Sequence, residues 1–230
     1  MQNNSGANKF YPIFLNLRAK KVVIVGGGKV AERKALGLLD SGAVIHLVSP
    51  DATASIKGHH ENGSITWIKK KFSPGFLDGA WLVIAATSDT DIQKKIFKEA
   101  EKRNIFCNTV DVPVLCTFIV PSTVRRGDLC LAISSSGKSP ALCKYLRKEL
   151  EKTFPSSYES YVFLLGELRK AVISNYPEGE REKMCNALVN PQAHEWLKQR
   201  DWASLSEWAK KVCGIQGEKI VHSYRQRQNA

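Results

Sequence analysis

Several things are missing from this sequence of 230 residues, and each absence removes a class of protein. There is no C-x-x-C pair. Cys107, Cys116, Cys130, Cys143, Cys185 and Cys213 are scattered, so neither a zinc site nor a disulfide framework is expected, and the thiols read as reduced and structural. No H-x-x-x-H pattern or paired carboxylates supply a dedicated metal site. Apolar runs such as Trp81–Ala86 fall far short of the roughly 20 residues of a membrane span. The opening MQNNSGANKF lacks the charged-then-apolar pattern of a secretory signal, so a cytoplasmic protein is expected. Negative charge is also scarce: 22 Asp and Glu stand against 34 Lys and Arg, a net charge of +12. Residues 1–112 hold 16 basic and 10 acidic side chains and residues 113–230 hold 18 and 12, an excess of +6 in each half, so no single basic arm marks a nucleic-acid binder. Spread positive charge fits solubility, or attraction of a polyanionic small molecule.

What is present is organised around KVVIVGGGKVAERK, residues 21–34. Val22 to Val25 is a β-branched run suited to a strand buried on both faces. It meets Gly26-Gly27-Gly28 and passes into a helical pattern. Gly26, Gly28 and Ala31 fall in the positions of a G-x-G-x-x-G/A fingerprint: a tight turn, close approach of backbone to a pyrophosphate, and close packing of helix on strand. The free N–H groups and dipole at the helix start favour a bound diphosphate. An empty turn in an ordinary α/β domain would use the same residues.

Along the chain, residues 1–9 are polar and expected to be disordered, and Tyr11–Leu17 reads as a short edge segment. The first helix should close at Ser41-Gly42. A strand over 44–48 follows, ending at Ser49-Pro50-Asp51. An acidic residue at this tip binds ribose hydroxyls in NAD-binding domains. Here Asp51 sits two residues late, but no arginine points to NADP, so NAD is expected. His59-His60 falls in a polar loop, Ile65–Ile68 is a short strand, and Lys69-Lys70-Lys71 reads as a solvated edge. The strand around Trp81–Ala86 ends at Thr87-Ser88-Asp89, which should face a ligand crevice, and a helix from about Thr90 to Arg103 precedes a strand over 105–108. Beyond Pro113 the alternation stops. Thr117–Pro121 and Leu129–Ile133 read as strands separated by the basic turn Arg125-Arg126-Gly127-Asp128. Ser139 and Pro140 then open a helix. From about Ser156 the pattern is helical, with Val162, Leu165, Leu168 and Val172 on one face, and the last dozen residues read as a polar, frayed tail.

GGGKVAERK, AATSD at 85–89, IFCNTVDVP at 105–113, FIVPS at 118–122 and AISSSGKSPALCKYLRKELE at 132–151 occur in this order, and together they resemble the precorrin-2 dehydrogenase / sirohydrochlorin ferrochelatase module of sirohaem synthases over roughly residues 10–210. The resemblance implies an α/β chain with an N-terminal Rossmann-like NAD-binding domain (1–112), a small β-rich dimerisation region (113–150), a C-terminal helical region (151–215) and a polar tail (216–230), assembled as a homodimer. It implies NAD-dependent oxidation of precorrin-2 to sirohydrochlorin, with ferrous iron a further substrate in relatives that also chelate. Matched motif to motif, Gly28, Lys29, Val30, Pro50, Asp51, Thr87 and Ser88 meet the cofactor, and Asp111 corresponds to the family's essential aspartate. Dehydrogenating a reduced tetrapyrrole takes a hydride acceptor and a base, and Asp111, beyond a strand end, is placed for the second role. By its residues alone it reads first as a turn-forming aspartate capping its own loop. Asn108, Arg125, Arg126, Ser135, Lys138 and Ser139 are the candidates for the substrate, whose many carboxylates suit basic partners and a helix start. A serine matching Ser135 is phosphorylated in some members. The family's SSGG pattern is altered here, with Ser136 replacing one glycine. Three other readings stay open: a ferrochelatase first of all, an NAD-sensing binding module without catalysis, and a nucleic-acid binder suggested only by a pI near 9.5.

Overall fold

In strand β1 (Lys21–Val25) Val22, Val23, Ile24 and Val25 are all buried, so neither face of the strand meets water. The computed structural model describes residues 10–228 and sets β1 at the centre of a five-stranded parallel sheet. Its neighbours are β2 (Val44–Val48), β3 (Thr66–Ile68), β4 (Leu82–Ala85) and β5 (Phe106–Thr109), in the order β3-β2-β1-β4-β5. The two-residue period of a strand divides the core. Val22 and Ile24 pack with Ala31 and Ala35 of helix α1 (Lys29–Leu39) and Ile56 of α2 (Ala54–Glu61) on one face. Val23 and Val25 pack with Ile96 and Ala100 of α3 (Thr90–Lys102) on the other. The chain leaves β1 toward β2 on one side and later returns to β4 on the other. The carboxyl ends of β1 and β4 therefore flank the switch point where doubly wound sheets take their ligands.

The chain divides into two compact units, residues 1–120 and 121–230. The second begins with an antiparallel hairpin, β6 (Ser122–Arg126) and β7 (Leu129–Ile133), followed by α4 (Pro140–Thr153). Four further helices enclose a separate core: α5 (Ser157–Asn175), α6 (Glu178–Ala187), α7 (Pro191–Gln199) and α8 (Trp202–Gln228), the last broken at Gly214 (φ 64°). Leu164, Leu168 and Val172 of α5 meet Ala193 and Leu197 of α7 and Leu205, Val212 and Val221 of α8.

Several expectations change. The expected disorder over residues 1–9 lies outside the described residues. Tyr11–Leu17 forms no strand, and only Leu17 in it is buried. His59 and His60 lie in the last turn of α2, whose start is capped by Thr53 Oγ1 accepting from Ile56 N–H (3.4 Å). The first hairpin strand is not Thr117–Pro121 but Ser122–Arg126, so both arginines sit in the strand and the turn is only Gly127-Asp128, with Gly127 at φ 56°. The apolar face of α5 is turned toward Tyr161 and Leu164, leaving Val162 and Leu165 at its margin. The frayed tail is corrected as well: α8 continues to Gln228, and Gly217, Val221 and Tyr224 are buried at helical spacing.

Candidate active site

At the carboxyl end of the sheet the glycine turn is held by its two neighbours. Gly26 has φ 124°, and a Cβ there would collide with the Ala86 carbonyl at the exit of β4. At Gly27 a Cβ would collide with the Asp51 carbonyl and come within 2.6 Å of Ser49 Oγ, and Gly27 O accepts from Thr53 N–H (3.0 Å). These two positions clamp the exits of β4 and β2 around the turn. Gly28 differs: a Cβ there would meet nothing within 4 Å, and it supplies no side-chain cap to α1. Lys29 and Val30, at the first turn beside it, are exposed, so their N–H groups are placed at an open helix start, the arrangement that fits a diphosphate. The fingerprint reading identified Gly26, Gly28 and Ala31; it missed Gly27, whose need for a missing side chain comes from the β2 tip and so has no local signal.

At that tip Ser49 is buried, while Pro50 and Asp51 are exposed. Asp51 Oδ1 lies 3.0 Å from Lys57 Nζ and accepts from Ala52 N–H (2.8 Å). Lys29 is exposed and paired with Glu32 (3.3 Å). At the β4 exit, Gln93 Nε2 donates to Thr87 O (2.7 Å) and Thr87 Oγ1 accepts from Asp89 N–H (3.2 Å), so the Thr87-Ser88 loop is braced from inside α3 while Ser88 stays exposed.

Beyond β5 the chain turns through Asp111 and a 3-10 turn at Pro113–Leu115. Asp111 is exposed with φ 60°, a left-handed conformation that aspartate tolerates better than most residues. The Cys116 thiol ties this loop: Sγ accepts from Thr109 N–H (3.2 Å) and lies within donating reach of Thr109 O (3.2 Å) and Val112 O (3.4 Å). Burial raises the Cys116 pKa, so the thiol stays protonated and able to donate. Asn108 is buried and its Nδ2 donates to Phe118 O (3.0 Å), so this side chain braces the returning chain. Val110 and Phe118 join the same apolar cluster as Ala31 and Ala35 of α1. Lys34, on that helix and overlooked in the sequence, is half-buried. Burial first, then Arg33, pushes its ammonium pKa down, against the opposite pull of the Asp111 charge.

In the second unit the Arg126 guanidinium, a substrate candidate by sequence, is engaged with backbone carbonyls. Its Nε donates to Phe154 O (2.6 Å) and Nη2 to Glu151 O (3.2 Å), satisfying carbonyls at the end of α4, while Nη1 donates to the neighbouring Arg125 O (2.8 Å). Arg125 and Lys138 are exposed. Ser139 Oγ caps α4 by accepting from Leu142 N–H (3.3 Å), and Ser135 Oγ accepts from Ser139 N–H (2.9 Å). Ser136 has φ 52°, the left-handed backbone for which a glycine is suited. Among the described residues no group of three His, Cys, Asp or Glu side chains is placed to hold a metal ion, and no helix is long and apolar enough to cross a membrane.

Comparison with known proteins gives concordant results. A family model described as NAD(P)-binding matches residues 13–122, and one described as the central region of sirohaem biosynthesis proteins matches residues 126–153. The chain is 41% identical over 163 residues to a siroheme synthase of Photorhabdus laumondii, covering 71% of this chain and 35% of that protein. It is 38% identical over 202 residues to siroheme synthase 3 of Aeromonas hydrophila (87% and 43%), and 37% identical over 218 residues to siroheme synthase 1 of Aeromonas salmonicida (92% and 47%). It thus spans less than half the length of these curated relatives. A solved structure titled SirC, precorrin-2 dehydrogenase, superposes with a TM-score of 0.74 at 27% identity, covering 88% of this chain and 98% of that one. The two family models follow one another in the chain, over residues 13–122 and 126–153, and the chain is thus similar to the NAD(P)-binding and central regions of sirohaem biosynthesis proteins.

Proposed function

We propose that the chain catalyses NAD-dependent dehydrogenation of precorrin-2 to sirohydrochlorin in sirohaem biosynthesis, in the cytoplasm. The observation that carries this reading is the gathering of an uncapped helix start at the glycine turn, the Thr87-Ser88 loop and the Asp111 carboxylate at the carboxyl ends of β1, β4 and β5, three adjacent strands. Bound NAD supplies the hydride acceptor. The Lys29 and Val30 N–H groups hold its diphosphate, Gly28 leaves room for it, Ala31 lets helix and strand pack closely beneath, and Thr87 and Ser88 line the path from β4. Asp111 takes the proton that leaves the macrocycle as the hydride is lost, and passes it to solvent, to which it is exposed. The Cys116 thiol fixes the loop that presents Asp111. Arg125, Lys138 and the α4 start at Ser139 are the second unit's candidates for the substrate's carboxylates.

The working form is a homodimer. Among the described residues each hairpin strand pairs with only one neighbour, and α4 leaves Leu142, Tyr145 and Leu146 exposed, which suits a second copy of the chain.

Anaerobic incubation with precorrin-2 and NAD tests the activity by absorbance. NADH and sirohydrochlorin should appear, and Asp111→Asn should lower kcat by about a hundredfold, the scale of general base catalysis, while NAD binding stays within about twofold. Nucleotide binding without turnover by the wild-type chain would leave only the binding-module reading. An added arm with ferrous iron tests chelation: sirohaem forming from sirohydrochlorin faster than in a protein-free control extends the activity to iron insertion.

A further inference from the structure

Lys69-Lys70-Lys71, read above as a solvated edge, begins at the carboxyl end of β3. Parallel pairing sets Val48 beside Ile68, and Ser49 N–H donates to Ile68 O (3.2 Å), so Lys69 leaves the sheet next to the β2 tip. Trp67 forms the floor there, its Nε1–H reaching Ser49 O (3.1 Å) and Ser49 Oγ (3.2 Å). Two ammonium groups stand over the indole: Lys57 Nζ is 5.7 Å and Lys69 Nζ 5.9 Å from the ring centroid. Lys57 Nζ is also 3.0 Å from Asp51 Oδ1. The β2 tip thus carries one carboxylate and two cations.

An acidic group at this tip favours NAD by accepting from the ribose hydroxyls, and a bare carboxylate there repels the 2′-phosphate of NADP. Here the carboxylate is not bare. The Lys57 hydrogen bond, then the Ala52 N–H and the Lys69 charge, hold the Asp51 carboxyl below its ordinary range, so at neutral pH it is an anion with a cation attached. Both partners are accessible, with 44% of the Lys57 side chain and 84% of the Asp51 side chain exposed, and Lys57 is free to turn from Asp51 to a stronger anion.

Resting on the reading that a nicotinamide dinucleotide binds at the glycine turn, we infer that Lys57 and Lys69 form a 2′-phosphate subsite over Trp67, so that the chain binds NADP as well as NAD. Asp51 limits the affinity for the phosphorylated form and does not exclude it.

Calorimetric titration of the full chain with oxidised NAD and with oxidised NADP tests this without any turnover. The two dissociation constants should lie within about tenfold of each other. Lys57→Ala and Lys69→Ala should each weaken NADP by about tenfold while changing NAD less than about threefold. Asp51→Asn should tighten NADP, and added salt should weaken NADP more steeply than NAD. Firm NAD binding with no NADP binding overturns the subsite alone, as do lysine variants that shift both nucleotides equally. Absence of binding by either nucleotide overturns the dinucleotide reading together with it.

Discussion

Ser136 holds a left-handed backbone (φ 52°) that costs an L-residue roughly 1 kcal/mol, beside Gly137 at φ 82°. Ser136→Gly should therefore raise the unfolding midpoint slightly, by less than about 1 kcal/mol once glycine's extra chain entropy is subtracted. Chemical denaturation reads this, and a loss of stability would show that the Ser136 side chain makes a compensating contact. Charge at the neighbouring position is a separate matter. Ser135→Asp adds an anion where a polycarboxylate is proposed to bind and should raise the KM for precorrin-2 without changing the NAD affinity; unchanged kinetics would remove Ser135 from the substrate's surroundings. His194 gives a pH signature. Its ring is buried against Tyr158 (centroids 4.2 Å apart) and Tyr161 (5.2 Å), with Nε2 3.0 Å from Ser157 Oγ. Burial lowers its pKa, Glu195 raises it and Lys198 lowers it. The unfolded chain then takes up a proton at a higher pH than the folded one. Stability should fall as the pH drops below the ordinary histidine value of about 6.5, and level off below the folded value. His194→Gln should flatten that slope in urea titrations run between neutral pH and about pH 5.

Among the elements, the turn between β1 and α1 allows a clean comparison of two glycines. Gly27→Ala drives a Cβ into the Asp51 carbonyl and should cost about 1–3 kcal/mol of stability, because backbone must move. Gly28→Ala has open space and should leave stability within about 0.5 kcal/mol, yet reduce nucleotide affinity because its Cβ fills the cradle. Thermal melts paired with calorimetry separate the two effects; equal destabilisation would mean that Gly28 is packed like Gly27. The elements also show what was readable in the chain. The parallel strands could be read because burial on both faces leaves unbroken apolar runs such as Val22–Val25, bounded by glycines and polar tips. β6 could not: STVRR buries only Val124, and the apolar Phe118 upstream is used to cover the first unit's core. α2 was hidden by Gly58 and the two histidines, and depends on the Thr53 cap. The end of α8 looked polar because its apolar stripe is one residue wide.

For the whole molecule, each of the two units has its own buried core, one around the parallel sheet and one around α5 and α8. Neither core accounts for the apolar side of α4, where Tyr145 is 60% exposed. Tyr145→Lys should shift the mass measured by light scattering toward the monomer while thermal melts change little, whereas an unchanged dimer would place the contact elsewhere. Of the candidate site, the glycine turn was legible because local sequence dictates it, whereas Asp111 was singled out by the family resemblance, its own surroundings reading as a plain turn. Lys34, Lys57 and Trp67 were not legible, because their surroundings arise from strand order, which brings β3 and β5 beside residues distant in the chain. That order has a consequence for size. The glycine turn lies at the end of β1 and Asp111 beyond the end of β5, with only β4 between. Two strand spacings, about 10 Å in all, separate the ends of β1 and β5, and with them the turn proposed to grip phosphate from the loop proposed to take the proton. The sheet is thus a ruler graduated in peptide hydrogen bonds: the span between the two is set by strand order and not by any one side chain.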